Sequence, residues 1–172
     1  MPTQPEESTM RPFHHRAPTI VAALVAVLTL LAIAAPIAAA SPQGVTIVSH
    51  VTFNPDGPNY GDFTAAGDAV DSGLICPSGT FVDTAIRFAG YQSNRGMVQL
   101  LVVKEFTCGD GSGTFVVKIQ IQANFDTGIE SFTWVVLGGT GDYGSLHGAG
   151  TGSTVPNAPI GNINTYVGFL LG

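Results

Sequence analysis

Three charged side chains in the middle of the chain could bind a polar group of a small ligand. Asp83 and Arg87 lie four residues apart in "TFVDTAIRFAGY", and Lys104 lies in the largely apolar stretch "GMVQLLVVKEFTC". The period-two alternation of a strand would place Asp83 and Arg87 on one face. We expect that face to meet water, since charged residues are mostly exposed, but a cavity-lining face would make both ligand-binding residues. We expect Lys104 to extend to solvent from a strand end; the alternative is a cavity cation with a lowered pKa.

Tyr143 and His147, in "GDYGSLHG", are two further candidate ligand-binding residues. His147 is close in sequence to Asp142, and a His–Asp pair could carry out acid–base chemistry. An exposed loop histidine is the more common situation. No group of histidines, cysteines and aspartates has the spacing of a metal site, so we predict no metal and no cofactor, and we assign no catalytic residue.

A glycine-rich segment that follows an apolar run could instead bind a dinucleotide. Gly139, Gly141 and Gly144 in "VVLGGTGDYGSLHG" have the G-x-G-x-x-G spacing of that fingerprint. The fingerprint also requires a following helix and an acidic residue about 20 positions further on. The continuation "SLHGAGTGSTVPNAP" cannot sustain a helix, and no acidic residue follows Asp142. We therefore interpret the segment as a strand, a glycine corner and a returning strand.

The first 40 residues have the parts of a secretory signal. A basic patch that ends at Arg16 precedes the uncharged stretch Ala17–Ala40, which closes on three alanines. This order is typical of a signal peptide. We predict cleavage after Ala40, a secreted protein and one domain over residues 41–172. The alternative is an uncleaved membrane anchor, since the stretch is long enough to span a bilayer.

Two cysteines, Cys76 and Cys108, lie beyond the predicted signal. In an oxidising compartment a single pair of cysteines indicates a disulfide bond. A reactive thiol is the alternative, but no histidine or C-x-x-C partner flanks either cysteine.

The charge of the remaining chain limits its partners. From residue 41 onward, four basic side chains stand against ten acidic ones. Such a chain offers no basic surface to a phosphate backbone, so we do not expect nucleic acid as a partner. We also expect no membrane partner after signal cleavage.

The elements that would position these residues are strands, because apolar side chains from residue 41 onward recur with a period of two. In Gly113–Phe125 one face is apolar and the other is almost entirely polar, which is typical of an antiparallel sheet.

The six clearest strands are predicted at Gly44–Phe53, Thr80–Tyr91, Gly96–Cys108, Gly113–Phe125, Glu130–Leu137 and Asn162–Gly172. Weaker strands are predicted at Asp68–Leu74, where a helical turn is the alternative, and Leu146–Thr154. We interpret "NPDGPNYGDF" as a turn-rich loop. Short strands separated by glycine turns favour a sandwich or a barrel, and closure removes exposed edges.

The segment "GGTGDYGSLHGAGT", followed by the final strand "TYVGFLL", resembles the closing region of the allene oxide cyclase and dirigent proteins. The resemblance implies an eight-stranded antiparallel, calycin-like barrel with a central cavity. Allene oxide cyclases guide closure of an unstable fatty-acid epoxide, and dirigent proteins orient phenoxy radicals or quinone methides. Dirigent pockets use aspartates, an arginine and a tyrosine, yet no catalytic motif matches here residue by residue. The resemblance also makes a homo-oligomer an expected partner.

Three functions therefore remain open. The first is a secreted barrel whose cavity binds a small apolar or aromatic ligand through Asp83, Arg87, Lys104, Tyr143 and His147, without a demonstrable catalytic centre. The second is an isomerase-type cyclase or stereochemical guide acting on a reactive intermediate. The third is a structural surface protein with a filled core. The apolar residues that could line a cavity could equally fill the barrel, which is the default; they are Phe115, Ile119, Ile121, Phe125, Trp134 and Phe169.

Overall fold

The part of the chain that the structure describes forms a closed barrel of eight antiparallel strands, in which each strand pairs with the next and the last pairs with the first. This computed structural model describes residues 41–92, 96–124 and 129–172. The strands are β1 Gln43–Thr52, β2 Tyr60–Ala66, β3 Ser78–Gln92, β4 Met97–Cys108, β5 Thr114–Asn124, β6 Ile129–Gly139, β7 His147–Pro156 and β8 Gly161–Leu171. The predicted antiparallel barrel is thus confirmed, whereas the predicted signal over residues 1–40 lies outside the described residues.

One predicted strand is wrong and one strand was not predicted. Residues Asp68–Asp71 form a short helix, α1, so the predicted strand at Asp68–Leu74 does not exist and the alternative of a helical turn is correct. The missing strand is β2, which begins inside the stretch interpreted as a loop. Its pairing with β1 from Thr46↔Ala66 to Thr52↔Tyr60 contributes to closing the barrel.

Aromatic side chains fill one end of the barrel interior. At this end, inward aromatic rings pack against each other, with Phe106 stacked on Phe115 at a centroid distance of 4.8 Å and Phe63 edge-on to Phe106 at 5.1 Å. Phe115, Ile119 and Trp134 are buried in this core, as the filled-core interpretation expected. Phe169 is exposed on the outside, and Phe125 lies outside the described residues.

The disulfide bond predicted between Cys76 and Cys108 is present, with a Cα–Cα distance of 5.9 Å. It joins the segment after α1 to the end of β4, at the aromatic end of the barrel. We call this the disulfide end and the opposite end, where β4 begins, the open end. Both cysteines are buried within the core cluster.

The glycine segment is a strand, a corner and a returning strand, as predicted. β6 ends at Gly139, a 3-10 turn follows over Gly141–Tyr143, and β7 starts at His147. Within β7, inward glycines leave room for aromatic rings. A Cβ atom on Gly150 would lie 2.8 Å from Cε2 of Trp134, which is closer than carbon atoms pack.

Replacing Gly150 by alanine is therefore expected to destabilise the barrel by about 1–3 kcal/mol, because the indole ring and the β8 backbone must shift. Gly144 is the matched control: its φ is −58° and the nearest atom to an added Cβ is 3.9 Å away. Gly144→Ala is expected to stay within about 0.5 kcal/mol of the unsubstituted protein or to gain slightly. Urea unfolding of both variants checks this, and equal stabilities would contradict it.

Candidate functional site

The open end of the barrel contains a cavity of about 240 Å³. This volume lies just below the roughly 300–1,000 Å³ of sites that hold drug-sized ligands, so it suits a small molecule. The wall comes from all eight strands or the segments next to them. It is lined by Val51, Phe53, Asn59, Asp83, Ile86, Leu100, Val102, Lys104, Ile121, Glu130, Thr154, Asn162 and Asn164. A larger depression on the outer face of β5–β7 holds no charged side chain.

A buried ion pair forms the most polar part of the cavity wall. Asp83 on β3 and Lys104 on β4 are directly opposed, and Nζ of Lys104 donates to Oδ1 of Asp83 at 2.5 Å. The two residues are only 6% and 3% exposed. Asn59 makes two hydrogen bonds with Asp83. Its side-chain Nδ2 donates to Oδ2 of Asp83 at 3.0 Å, and its backbone carbonyl oxygen accepts from the backbone N–H of Asp83 at 2.8 Å.

Asp83 and Arg87 do not share a face, so that prediction is wrong. An irregularity in the pairing of β3 with β4 lies between Asp83 and Ala85, and it shifts the alternation by one residue. Asp83 points inward, whereas Arg87 pairs with Leu101 on the outer face and is exposed. The expectation of a solvent-facing side chain therefore holds for Arg87 and fails for Asp83. A bulge in a strand re-aims side chains in this way.

Lys104 does not extend to solvent, which corrects the preferred expectation and supports its alternative. Its ammonium group is buried beside Asp83 and lies 4.3 Å from the centroid of the Phe81 ring. Burial lowers the pKa of Lys104, and the attraction of Asp83 offsets this only in part. A cation held this way against apolar walls is a strong electrostatic feature, because the low dielectric weakens screening.

A belt of polar residues continues around the inside of the barrel through directly opposed positions. Glu130 on β6 faces Thr154 on β7, Thr154 faces Asn164 on β8, and Asn164 faces Ser49 on β1. Burial raises the pKa of the half-buried Glu130 carboxyl, and its hydrogen bond with Thr154 opposes the shift. Burial thus disfavours the ionised form of Glu130 relative to an exposed carboxyl group.

Three buried polar atoms at the inner end of this belt make no hydrogen bond within the part of the chain that the structure describes. They are Oγ of Ser49, Oδ1 of Asn164 and the hydroxyl oxygen of Tyr166. Ser49 and Asn164 are near enough to favour the ionised form of Tyr166, but burial outweighs them and raises the pKa of its hydroxyl group. Buried polar atoms without a protein partner are uncommon in folded proteins, so these three make the inner end of the belt a polar surface.

Large apolar side chains surround the mouth of the cavity. Phe53 and Ile86 line the cavity and are 41% and 51% exposed, and Phe88 on the same strand is 65% exposed. Exposed apolar groups continuous with a pocket are typical of a ligand-binding opening.

Tyr143 and His147 lie away from this cavity. Tyr143 is buried at the disulfide end, where its ring contacts Phe115 and its hydroxyl oxygen lies 2.6 Å from Oγ of Ser112. His147 is exposed at the start of β7. The structure thus brings together two of the five predicted site residues, Asp83 and Lys104.

The remaining polar residues of the site were not identified from the sequence, although a signal existed. Asn162 and Asn164 share the even-numbered inward positions of β8 with Tyr166 and Leu170. Glu130 likewise shares the inward positions of β6 with Phe132 and Trp134. Polar residues in register with a buried apolar face indicate either a cavity or a strand end.

The site combines a buried ion pair, a half-buried carboxyl group and buried polar atoms around an apolar space. It can orient a small ligand and exchange protons with it. Among the described residues, no group of three or more His, Cys, Asp or Glu side chains could hold a metal ion. No described helix is long and apolar enough to cross a membrane. A comparison with models of known families and with curated proteins finds no match for this chain.

Proposed function

We propose that this protein is a secreted barrel that binds a small apolar or aromatic ligand carrying one polar group. The observation that carries the proposal is the buried Asp83–Lys104 pair in the wall of an otherwise largely apolar cavity. An ion pair withdrawn from water adds little to stability, so stability alone does not account for this pair, and we assign it to ligand recognition. The polar group of the ligand would contact Lys104 or Asn164, and its apolar body would lie towards Phe53 and Ile86.

Two further observations support a secreted protein with a ligand-binding barrel. The disulfide bond fits the oxidising compartment that the signal-like N-terminal segment implies. The closed eight-stranded barrel with a cavity is the architecture that the resemblance to allene oxide cyclase and dirigent proteins implies. Because one fold serves many functions, the ligand class is inferred from the cavity itself.

Filling the cavity is expected to weaken binding without unfolding the barrel. Leu100→Trp places an indole in the half-buried cavity wall, whereas Leu101→Trp makes the same change on the outer face of the same strand. With cinnamyl alcohol as probe, we expect Leu100→Trp to weaken binding at least about tenfold, or 1.4 kcal/mol, and Leu101→Trp to leave it unchanged.

Isothermal calorimetry measures both affinities, and native mass spectrometry of the protein from its producing cells shows whether a ligand co-purifies. Equal affinities in the two variants would show that the alcohol binds elsewhere and would contradict the proposal. A probe that fails to bind the unsubstituted protein, together with no co-purified ligand, would favour a structural role.

A second candidate function is proton transfer during isomerisation or cyclisation of the bound ligand. The observation that favours it is the placement of Glu130 and the Asp83–Lys104 pair around one cavity, where burial raises the pKa of the Glu130 carboxyl and lowers that of the Lys104 amine. Groups with differently perturbed pKa values in one site are the arrangement that acid–base chemistry needs.

Hydrogen exchange distinguishes catalysis from binding alone. If the site moves protons, a bound enolisable ketone such as phenylacetone should take up deuterium from heavy water faster than in buffer, and Glu130→Gln should slow that uptake. Arg87→Gln, on the outer face, is the control and should leave it unchanged. Exchange no faster than in buffer would leave binding as the function.

A further inference from the structure

The chain has two lysines, and the barrel places them in opposite environments. Lys104 points inward and its residue is 3% exposed, whereas Lys118 on the neighbouring strand β5 is exposed to water. Their strands are adjacent, with Val103 paired to Lys118 and Lys104 paired to Val117. The reactivity of the two amines can therefore be compared in the same sample, with Lys118 as the internal control for Lys104.

From this placement we infer that Lys104 is a covalent binding site, whose amine forms an imine with an aldehyde that enters the open-end cavity. The inference rests on the proposed function, since the aldehyde must first occupy that cavity. Three features support it: the amine lies in the cavity wall, a carboxylate is within hydrogen-bond distance, and the surroundings exclude bulk water.

The reaction needs only groups that the cavity supplies and the aldehyde itself. Asp83 takes a proton from the Lys104 ammonium group, and the free amine then attacks the carbonyl carbon to form the carbon–nitrogen bond. A proton moves from nitrogen to oxygen, which gives a carbinolamine. Asp83 returns its proton to the hydroxyl group, water leaves, and the nitrogen keeps one hydrogen as an iminium ion. The positive charge is conserved, and it stays paired with Asp83.

The surroundings of Lys104 favour both the attack and the product. Burial lowers the pKa of this amine, which increases the neutral fraction that can act as a nucleophile. The wall residues beside it, Val102 and Ile121, are apolar and limit hydrolysis of the product. Besides Asp83, the titratable groups on this side of the interior are Glu130 and Tyr166, and burial raises the pKa of both. Tyr166 therefore stays neutral at physiological pH, and Asp83 is the carboxylate in hydrogen-bond contact with the amine.

Reductive trapping with cinnamaldehyde tests the inference on the protein purified from cells that express the full chain. The protein is treated with the aldehyde and sodium cyanoborohydride at pH 7, and peptide mapping by mass spectrometry locates the reduced cinnamyl group. We expect one adduct, on Lys104, labelled at least about tenfold faster than Lys118, because the cavity holds the aldehyde next to the Lys104 amine and raises its local concentration there. Lys118→Arg should leave this adduct unchanged, and Lys104→Met should lose it.

The comparison of two lysines within the unsubstituted protein does not depend on whether Lys104→Met folds. Circular dichroism and the fluorescence of Trp134 nevertheless report the state of that variant. Equal labelling of Lys104 and Lys118, or labelling of Lys118 and the terminal amine alone, would overturn the inference.

Cinnamyl alcohol separates this inference from the proposed function, because it has the same apolar body and no carbonyl group. If the alcohol binds in the cavity and cinnamaldehyde leaves no adduct on Lys104, the covalent site is refuted and the binding function stands. If neither molecule binds in the cavity, both proposals fail.

Discussion

Replacing Cys76 and Cys108 together by alanine is expected to lower the free energy of unfolding by about 3–4 kcal/mol. The disulfide closes a loop with a sequence separation of 32 residues, and the unfolded chain without it gains the corresponding conformational freedom. The same bond ties α1 and the segment after it to the end of β4, so its loss also loosens the base of the aromatic core. Urea unfolding followed by Trp134 fluorescence measures the change.

Reduction of the unsubstituted protein provides the control for this pair. Dithiothreitol should lower its free energy of unfolding by a similar amount, and it should leave the Cys76→Ala/Cys108→Ala variant unaffected. A double variant within about 1 kcal/mol of the oxidised protein would show that the loop is already restricted in the unfolded state. Binding of cinnamyl alcohol at the open end should survive in the folded double variant, because the cavity lies at the other end of the barrel.

The sequence predicted the barrel where alternation is strong and failed where a strand is short. β5 carries five inward apolar residues in an unbroken period of two, from Phe115 to Ala123, and this pattern is sufficient for a strand. β2 has one fully buried apolar side chain, Phe63, and it follows a segment rich in proline and glycine. Its strand conformation comes from pairing with β1 and β3, which local sequence does not encode.

The candidate site depended on one irregularity that the sequence does not reveal. Strict alternation along β3 puts Asp83 and Arg87 on one face, because they are four residues apart. With the irregularity, Asp83 faces Lys104 and Arg87 turns to water. Such bulges arise from the fit between neighbouring strands, so periodicity in one strand cannot locate them. Even so, an acidic residue and a basic residue on the inward faces of two neighbouring strands indicate a cross-strand ion pair.

Removing one partner of the Asp83–Lys104 pair is expected to have the largest effect of any substitution at the open end. Asp83→Leu leaves the Lys104 ammonium group buried without its counterion, which should lower the free energy of unfolding by about 3–5 kcal/mol at pH 7. The double variant Asp83→Leu/Lys104→Met removes both charges and should recover most of that loss, since apolar residues of similar size replace buried pairs at little cost. Asp62→Leu is the surface control: Asp62 pairs with His50 at 3.0 Å in an exposed position, and its loss should change stability by about 0.5 kcal/mol or less.

The pH dependence of the Asp83→Leu variant identifies the cause of the loss. Asp83 is the group that raises the pKa of Lys104 against the effect of burial, so its removal lowers that pKa further. A buried amine whose pKa is lowered in the folded state binds fewer protons there than in the unfolded state. The free energy of unfolding therefore rises with pH between the pKa of Lys104 in the folded state and its pKa of about 10.5 in the unfolded state. The loss of stability caused by Asp83→Leu is thus present at neutral pH and becomes smaller as the pH approaches 10.5. A loss that stays constant from pH 7 to pH 10, or a double variant no more stable than Asp83→Leu, would show that the penalty comes from packing and not from an unpaired charge.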